Sequence, residues 1–535
     1  MKNKKNGFTL IELLAVIIVL AIIALIATPI IFNVIENAKI KSLENSCYGV
    51  IDAVRTKYAE GLLNLNKITN GNVNELTVSG EKPIEGTWEI DNSSDSDNRG
   101  IKIKDVKFGS MKDYTCTNVN SDGTINSKVT CTKGGSDGPV SEYTDNSGAN
   151  KPELFNNMKP IKYENNKWII ADLGQKWYDY DAKEWANAVV LNSGVTKNVG
   201  DEVKEEDVAL WYVWIPRYKY TIFNGNNESV DSQLINVAFE SGVSRTGTVT
   251  CSDNADGSET CSTITNGTST YTHPAFKFGN TELTGFWVGK FEISTTDSTC
   301  NSSASSANCN KVLTMTIKPN VSSWRNATIS NHFTSIQNAK TTYGINNADS
   351  HMMKNMEWGA VAYLKQSKYG LGTTDIAVNT NSSYYTGGGQ SDAYKTNVAQ
   401  STTGNIYGVY DMSGGAWEYV MGNMNNSSNA FYSSNAGFTT APDSKYYDSY
   451  KYDSSSNTTH ARGKLGDATK ETLATFGSGT GGWYSDYAYF PSSSNTWFIR
   501  GGDYGNGSLA GVFGFGNSHG PSGSGSSARA VLSNQ

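Results

Sequence analysis

Between Leu13 and Ala27 the chain contains no polar residue, and this run constrains what the chain can fold into more than any other feature. Continued through Ile30 to Phe32 after Thr28 and Pro29, it supplies the roughly 20 residues that carry a helix across a hydrocarbon core. Lys2, Lys4 and Lys5 precede it and would stay on the cytoplasmic side. A plain membrane anchor and a cleaved secretory signal are the ordinary readings. A signal peptide fits poorly, because its apolar core should follow the basic residues directly and end at a small-residue cleavage site. Here Gly7 closes the basic leader and Glu12 stands at the head of the apolar run. A lone carboxylate in lipid costs roughly 2.5–3.5 kcal/mol on insertion scales, so Glu12 calls for a partner of opposite charge. Pro29 is expected to bend or locally melt the helix.

Beyond Phe32 the apolar residues fall at helical spacing. Val34, Ile35, Ala38, Leu43, Val50, Ile51, Val54 and Tyr58 alternate with Lys39, Lys41, Glu44, Asp52, Arg55 and Lys57, which predicts one helix from Phe8 to about Glu60 with a packed second half. Residues 61–133 hold short alternating runs such as Thr87–Ile90 and Ile101–Val106, separated by Gly, Asn, Asp and Ser clusters, and read as a small antiparallel sheet. Residues 134–151 read as a Gly- and Ser-rich linker, residues 152–204 as a connecting subdomain, and residues 205–535 as the main folded unit. The fold class expected is α+β. At 535 residues the chain is too long for one ordinary domain. A charged fraction of 18% and a pI near 5.5 argue against nucleic acid as a partner.

The seven cysteines point to an oxidising compartment. Cys116 and Cys131, Cys251 and Cys261, and Cys300 and Cys309 form three sequence-local candidate pairs; spacing alone leaves the connectivity open. Cys47 is left over on the helix, where a buried thiol is expected. No metal-ligand spacing occurs, and neither a metal nor any other cofactor is expected.

Gly7-Phe8-Thr9-Leu10-Ile11-Glu12 and the apolar helix behind it resemble the type IV prepilins. The resemblance implies cleavage between Gly7 and Phe8 by a prepilin peptidase, methylation of the new Phe8 amine, and pairing of Glu12 with the Phe8 amine of a neighbouring subunit. Such a pair is favourable in a low-dielectric filament core only when the charges are juxtaposed.

In the long C-terminal region, strands are expected at Leu210–Tyr220, Gly285–Ile293 and Trp497–Gly502, and a helix at Met353–Lys365 with Trp358, Val361 and Leu364 on one face. Glu357–Ala362, Asn405–Gly414, Trp417–Val420, Arg500–Tyr504 and Arg529 resemble the formylglycine-generating-enzyme-like branch of the C-type lectin fold. The chain departs from that pattern at Gly415, Ala416, Tyr419 and Ala528. The enzymatic activity of that family needs a cysteine pair near the C-terminus, and no cysteine follows Cys309. Gly516-Asn517-Ser518-His519-Gly520 matches a bare G-x-S-x-G pattern but lacks the strand-to-helix setting of a nucleophile elbow. No enzyme is therefore expected.

Asp503 to Ala528 is rich in Gly, Ser and Asn and contains no Lys, Glu, Gln, Met or Trp. It resembles the variable region of proteins diversified by retroelements, in which randomised AAY codons cannot yield those five residues. A low-complexity Gly/Ser loop is the plainer reading, but Val512, Phe513 and Phe515 sit inside the segment as apolar anchors. The resemblance implies ligand-binding, variable positions at Asp503, Gly505, Asn506, Leu509, Gly514, Gly516, Asn517, Ser518, His519, Gly523 and Gly525. The fixed frame would be Gly507, Ala510 to Phe513, Phe515, Pro521 and Arg529. The chain thus reads as a surface protein inserted in the cytoplasmic membrane as a precursor and then displayed on an extracellular filament. Its expected partners are a prepilin peptidase, other pilin subunits, and an extracellular ligand on a host or bacterial surface. The alternative is a structural minor pilin or pseudopilin.

Overall fold

The computed structural model describes residues 39–63, 69–90, 100–111, 114–119, 124–133, 142–301, 305–425, 435–453 and 463–535. The chain divides into two compact units, Met1–Ser141 and Glu142–Gln535.

In the first unit, residues 39–63 are helical, three residues beyond the expected end. Leu43, Cys47, Val50, Ile51 and Val54 form the stripe that the sequence spacing demands, and all five are buried. They pack with the apolar side of a five-stranded antiparallel meander, Asn70–Asn72, Pro83–Ile90, Ile101–Phe108, Tyr114–Val119 and Ile125–Lys133, paired in chain order. Along the central strand Ile101 and Ile103 are buried, then Val106 and Phe108. The buried phase changes because Asp105 takes a left-handed conformation, φ 55°, where the pairing register shifts. Cys116 and Cys131 face each other across the last two strands and are disulfide-bonded.

The second unit is built on two sheets. Seven antiparallel strands follow the spatial order Asp349–Met352, Ala530–Ser533, Gly285–Gly289, Val208–Pro216, Asn187–Leu191, Met158–Glu164 and Lys167–Ile170. Every residue of Val208–Pro216 is buried, which is why this stretch reads in sequence as an unbroken apolar and aromatic run. The second sheet has the order Asp448–Tyr450, Trp417–Met424, Trp497–Gly501, Gly511–Ser518, and Ser526–Ala528 pairs in parallel with Trp417–Met424. Residues 152–204 supply three strands of the larger sheet, so that stretch is integral to this unit and not a separate connecting subdomain. Residues 142–151 belong to it as well: Ala149 is buried, and the buried Asp145 carboxylate accepts from the Tyr180 amide at 2.7 Å.

Asn355–Lys365 is the expected helix, but all eleven of its residues are buried, not one face only. The 463–470 loop closes over it, and a Cβ on Gly359 would lie 2.0 Å from the Gly466 carbonyl oxygen. The two remaining cysteine pairs, Cys251–Cys261 and Cys300–Cys309, are disulfide-bonded as their spacing suggested.

Candidate functional site

The processing and assembly residues Gly7, Phe8 and Glu12 lie outside the described residues. Among the described residues no helix is long and apolar enough to cross a membrane; the Leu13–Ala27 run is likewise outside them.

The C-terminal candidate residues are described in full, and their placement starts from Arg529. The chain passes at this residue from the Ser526–Ala528 strand of one sheet to the Ala530–Ser533 strand of the other. Its guanidinium donates Nε to Glu418 Oε2 at 3.0 Å and Nη2 to Glu418 Oε1, while Nη1 reaches the Gly289 carbonyl at 2.8 Å and Nη2 that of Tyr410 at 3.0 Å. Both side chains of this pair are fully buried, so one ion pair with satisfied hydrogen bonds ties the two sheets together. Beside it, burial first and then the Asp411 and Glu418 carboxylates hold Glu292 well above the usual carboxylate range; Glu292 Oε1 accepts the Ala416 amide at 2.8 Å.

On this frame Gly501 and Gly502, with φ 85° and 78°, turn the chain outward into the 503–510 loop. The Asn506 side chain accepts the Asp503 amide at 2.7 Å, and the Asp503 carboxylate accepts that of Gly505 at 3.0 Å, so the loop closes on itself. Gly505 is exposed, and Asp503, Asn506 and Leu509 are half-buried. The chain then re-enters the sheet as Gly511–Ser518, with Val512, Phe513 and Phe515 buried. The Trp358 indole donates to the Val512 carbonyl at 2.8 Å.

Two candidate variable positions are displaced by this geometry. Gly514 and Gly516 are buried inside the strand. A Cβ at Gly514 would lie 2.9 Å from the Gly511 carbonyl oxygen, and one at Gly516 would lie 3.2 Å from the Ile499 side chain. Both belong to the frame. Gly507, assigned to the frame, is exposed, although its φ of 55° lies in the left-handed region that favours glycine. Asn517 and His519 are half-buried and hold the 490–495 loop: Asn517 Nδ2 donates to the Phe490 carbonyl at 2.7 Å, and Asn495 contacts Asn517 Oδ1 and His519 Nδ1, both at 3.1 Å. Ser518 accepts the Gly520 amide at 3.1 Å. Gly523 and Gly525 are half-buried, and Pro521 offers its carbonyl to the Tyr419 hydroxyl at 2.7 Å.

What lies next to these positions is aromatic. Tyr487 and Tyr489 stack at 4.6 Å, Tyr487 meets Trp417 edge-on at 5.8 Å, and Tyr384 meets Tyr504 edge-on at 4.8 Å. All five rings are half-buried. The Trp417 amide donates to the Gly525 carbonyl at 2.8 Å, and the Gly525 Cβ position lies 3.6 Å from both the Tyr384 hydroxyl and the Asp503 carboxylate. Gly525 thus adjoins the Tyr384 hydroxyl and is bonded through its backbone to the strand that begins at Trp417. The Arg325 guanidinium lies 3.8 Å above the Tyr384 ring and donates to the Ser524 carbonyl at 2.5 Å. Among the described residues the hydroxyls of Tyr487, Tyr489 and Tyr504 have no hydrogen-bond partner.

In the sequence Trp417 and Tyr504 stand out only within the segments that resemble the C-type lectin fold, and Tyr384, Tyr487, Tyr489 and Arg325 are not singled out. Tyr487 and Tyr489 do carry a signal, the two-residue spacing of side chains sharing one face of an extended segment. A groove of about 490 Å³ beside Phe333, Phe438 and Tyr446, and another of about 350 Å³ beside Tyr143, Leu154 and Trp177, include none of the candidate residues.

Residues 2–28 match the model of the prokaryotic N-terminal methylation motif. The chain is also 32% identical over 113 residues to prepilin peptidase-dependent protein A of Clostridium perfringens, a match covering 19% of this chain and 81% of that protein.

Proposed function

The chain belongs to the type IV pilin-like family of that prepilin peptidase-dependent protein, and from this premise we propose that it is a pilus- or pseudopilus-borne subunit whose second unit is a ligand-binding, adhesin-like display domain. The N-terminal segment is the anchorage: prepilin peptidase cuts between Gly7 and Phe8, and Glu12 pairs with the amine of a neighbouring subunit. The second unit is the cargo, a C-type lectin-like domain without catalytic activity.

The observation that carries the display reading is the two groups of half-buried rings, Trp417 with Tyr487 and Tyr489 and Tyr384 with Tyr504, set beside a segment whose frame is buried. Half-exposed Tyr and Trp side chains offer large contact area at little cost in conformational entropy, with a polar tip left to bond a ligand. The retroelement reading then narrows to nine positions: Asp503, Gly505, Asn506, Leu509, Asn517, Ser518, His519, Gly523 and Gly525.

The test has two parts. Mass spectrometry of surface-sheared protein should find a mature N-terminus at methylated Phe8, and retention of residues 1–7 would overturn the filament assignment. Binding of intact bacterial cells to the purified chain should fall when Trp417 and Tyr487 are both replaced by Ala. Unchanged capture by a folded double variant would overturn the display assignment. A near-repeat of the last coding segment beside a reverse transcriptase gene would support diversification.

A further inference from the structure

The first unit contains a group of three sulfurs that its disulfide alone does not explain. Cys116 and Cys131 are bonded to each other across two strands, and Cys47 is a free thiol on the helix packed over them. The sulfur atoms of all three residues lie within 4.8 Å of one another, and all three residues are buried. A helix thiol held this close to a cystine is placed to exchange with it.

We propose that Cys47 is the alternative partner of this disulfide, able to take over Cys116 or Cys131 and so join the helix covalently to the sheet. In the step toward Cys116, the Cys47 thiolate attacks Cys116 Sγ. A Cys47–Cys116 bond forms, the Cys116–Cys131 bond breaks, and the electron pair leaves on the Cys131 sulfur, which takes up the proton that Cys47 gave up. The attack on Cys131 is the same with the roles of the two strand cysteines reversed. The number of thiols and disulfides is unchanged, so no external oxidant or reductant is needed.

The folded state holds the reaction back. Burial, with a smaller contribution from the Glu44 carboxylate, pushes the Cys47 thiol up to about 12, and a protonated thiol does not attack. Exchange therefore waits for water to enter the seam between helix and sheet while the three sulfurs remain neighbours. Loosening the helix from its sheet does this. The device is a latent lock: the present disulfide closes a short hairpin, whereas either product closes a far longer loop and binds the helix to the sheet it was leaving. In the chain-entropy picture the longer loop restrains the unfolded chain more. This inference stands on the first unit alone and does not depend on what the second unit binds.

The full chain, purified without added thiol, is held in sub-denaturing urea at neutral and at mildly alkaline pH, trapped by alkylation, and mapped by mass spectrometry without reduction. The expected product is a peptide pair joining Cys47 to Cys116 or Cys131. Its rate of appearance should rise about tenfold per pH unit while the thiolate is the minor species. Cys47→Ala should give no such product and leave the hairpin disulfide intact. In Cys116→Ser, folded and exposed to air, Cys47 and Cys131 should become disulfide-bonded, which tests reach directly. If Cys47 becomes open to alkylation in urea yet never appears in a cross-link, and the two thiols of Cys116→Ser stay free in air, the proposal is overturned.

Discussion

Eight tyrosines of the second unit form two groups, and the contrast between them separates what holds the unit together from what it presents. Tyr180, Tyr218, Tyr394, Tyr410 and Tyr450 are fully buried. Their hydroxyls donate, respectively, to the carbonyls of Trp214 and Ala360, the Glu205 carboxylate, the Tyr394 carbonyl and the Asp467 carboxylate, at 2.7–3.1 Å. Tyr487, Tyr489 and Tyr504 pack their rings equally well but leave their hydroxyls without a partner among the described residues. A buried hydroxyl must be paired or it costs free energy, whereas a tip at the surface is satisfied by water until a ligand displaces it. Among these eight tyrosines the fate of the polar tip separates frame from face; Tyr212, fully buried in Val208–Pro216 with its hydroxyl unpaired, belongs to the frame by its burial alone.

The frame should be breakable by single substitutions. Phe513→Ala empties a fully buried site against Trp483 and should cost about 3–5 kcal/mol. Arg529→Met leaves the buried Glu418 carboxylate without its partner and should also cost about 3–5 kcal/mol. Denaturant titration of the second unit measures both. Retention of wild-type stability by Arg529→Met would remove the ion pair from the frame.

A second ionic cluster makes the frame sensitive to pH. His351 is fully buried between Asp349, 3.1 Å from Nδ1, and Glu357, 3.0 Å from Nε2, and stacks on Phe278. Burial by itself would push the His351 imidazolium down, but the Glu357 and Asp349 carboxylates outweigh it and raise its pKa above the ordinary value. Burial likewise raises Asp349, yet the His351 contact, with Tyr446 and Lys445, brings it down to about 2. The signs are opposite. His351 contributes stability fully present below its unfolded value and lost as pH rises through its raised folded value. Asp349 contributes on the order of 2 kcal/mol above its unfolded value, lost as pH falls toward about 2. Stability measured against pH should therefore decline on both sides of mildly acidic conditions, and Asp349→Asn should flatten both limbs by removing one partner. An unchanged profile in that variant would show the cluster to be electrostatically neutral for folding.

How far frame and face could be read from sequence follows the same division. Val208–Pro216 and Gly285–Gly289 were legible because deep burial writes itself as continuous apolar and aromatic residues, and Asn355–Lys365 because Trp358, Val361 and Leu364 fall at helical spacing. The three disulfides were legible because each pair closes a short polar loop. Three things were hidden. Gly514 and Gly516 look like loop glycines until the strand shows what their missing side chains would strike. The strands of residues 152–204 join the larger sheet only through the pairing of Asn187–Leu191 with Val208–Pro216, which periodicity within the stretch does not show. Trp417 stands in sequence only as part of a resemblance motif, and nothing there shows that it opens the strand carrying the buried Glu418 while remaining half-buried itself. Composition records whether a residue is apolar, not which side of it faces water.

Conservative hydroxyl deletions sharpen the two populations more finely. Tyr218→Phe removes the hydroxyl bonded to the Ala360 carbonyl and should cost about 1 kcal/mol, the net worth of a typical buried hydrogen bond. Tyr487→Phe should change stability by less than about 0.5 kcal/mol. Equal losses in calorimetry would mean that the face is core after all.

The smallest effect on stability is expected where the largest effect on binding lies. Asn506 and Leu509 are half-buried in the 503–510 loop, and the Asn506 side chain braces that loop only through the Asp503 amide. Asn517 and His519 differ from them, because their side chains also hold the 490–495 loop. Replacing Leu509 by Ser and Asn506 by Asp, which keeps the oxygen acceptor, should leave the melting transition within about 0.5 kcal/mol per site. Capture of bacterial cells should nevertheless change, because these residues lie in the 503–510 loop that carries Tyr504. The same exchange at Gly514, by Ser, should lower the melting temperature instead, since its new Cβ meets the Gly511 carbonyl, and overpacking of this kind costs about 1–3 kcal/mol. If Gly514→Ser is silent while Leu509→Ser unfolds the unit, frame and face have been assigned the wrong way round.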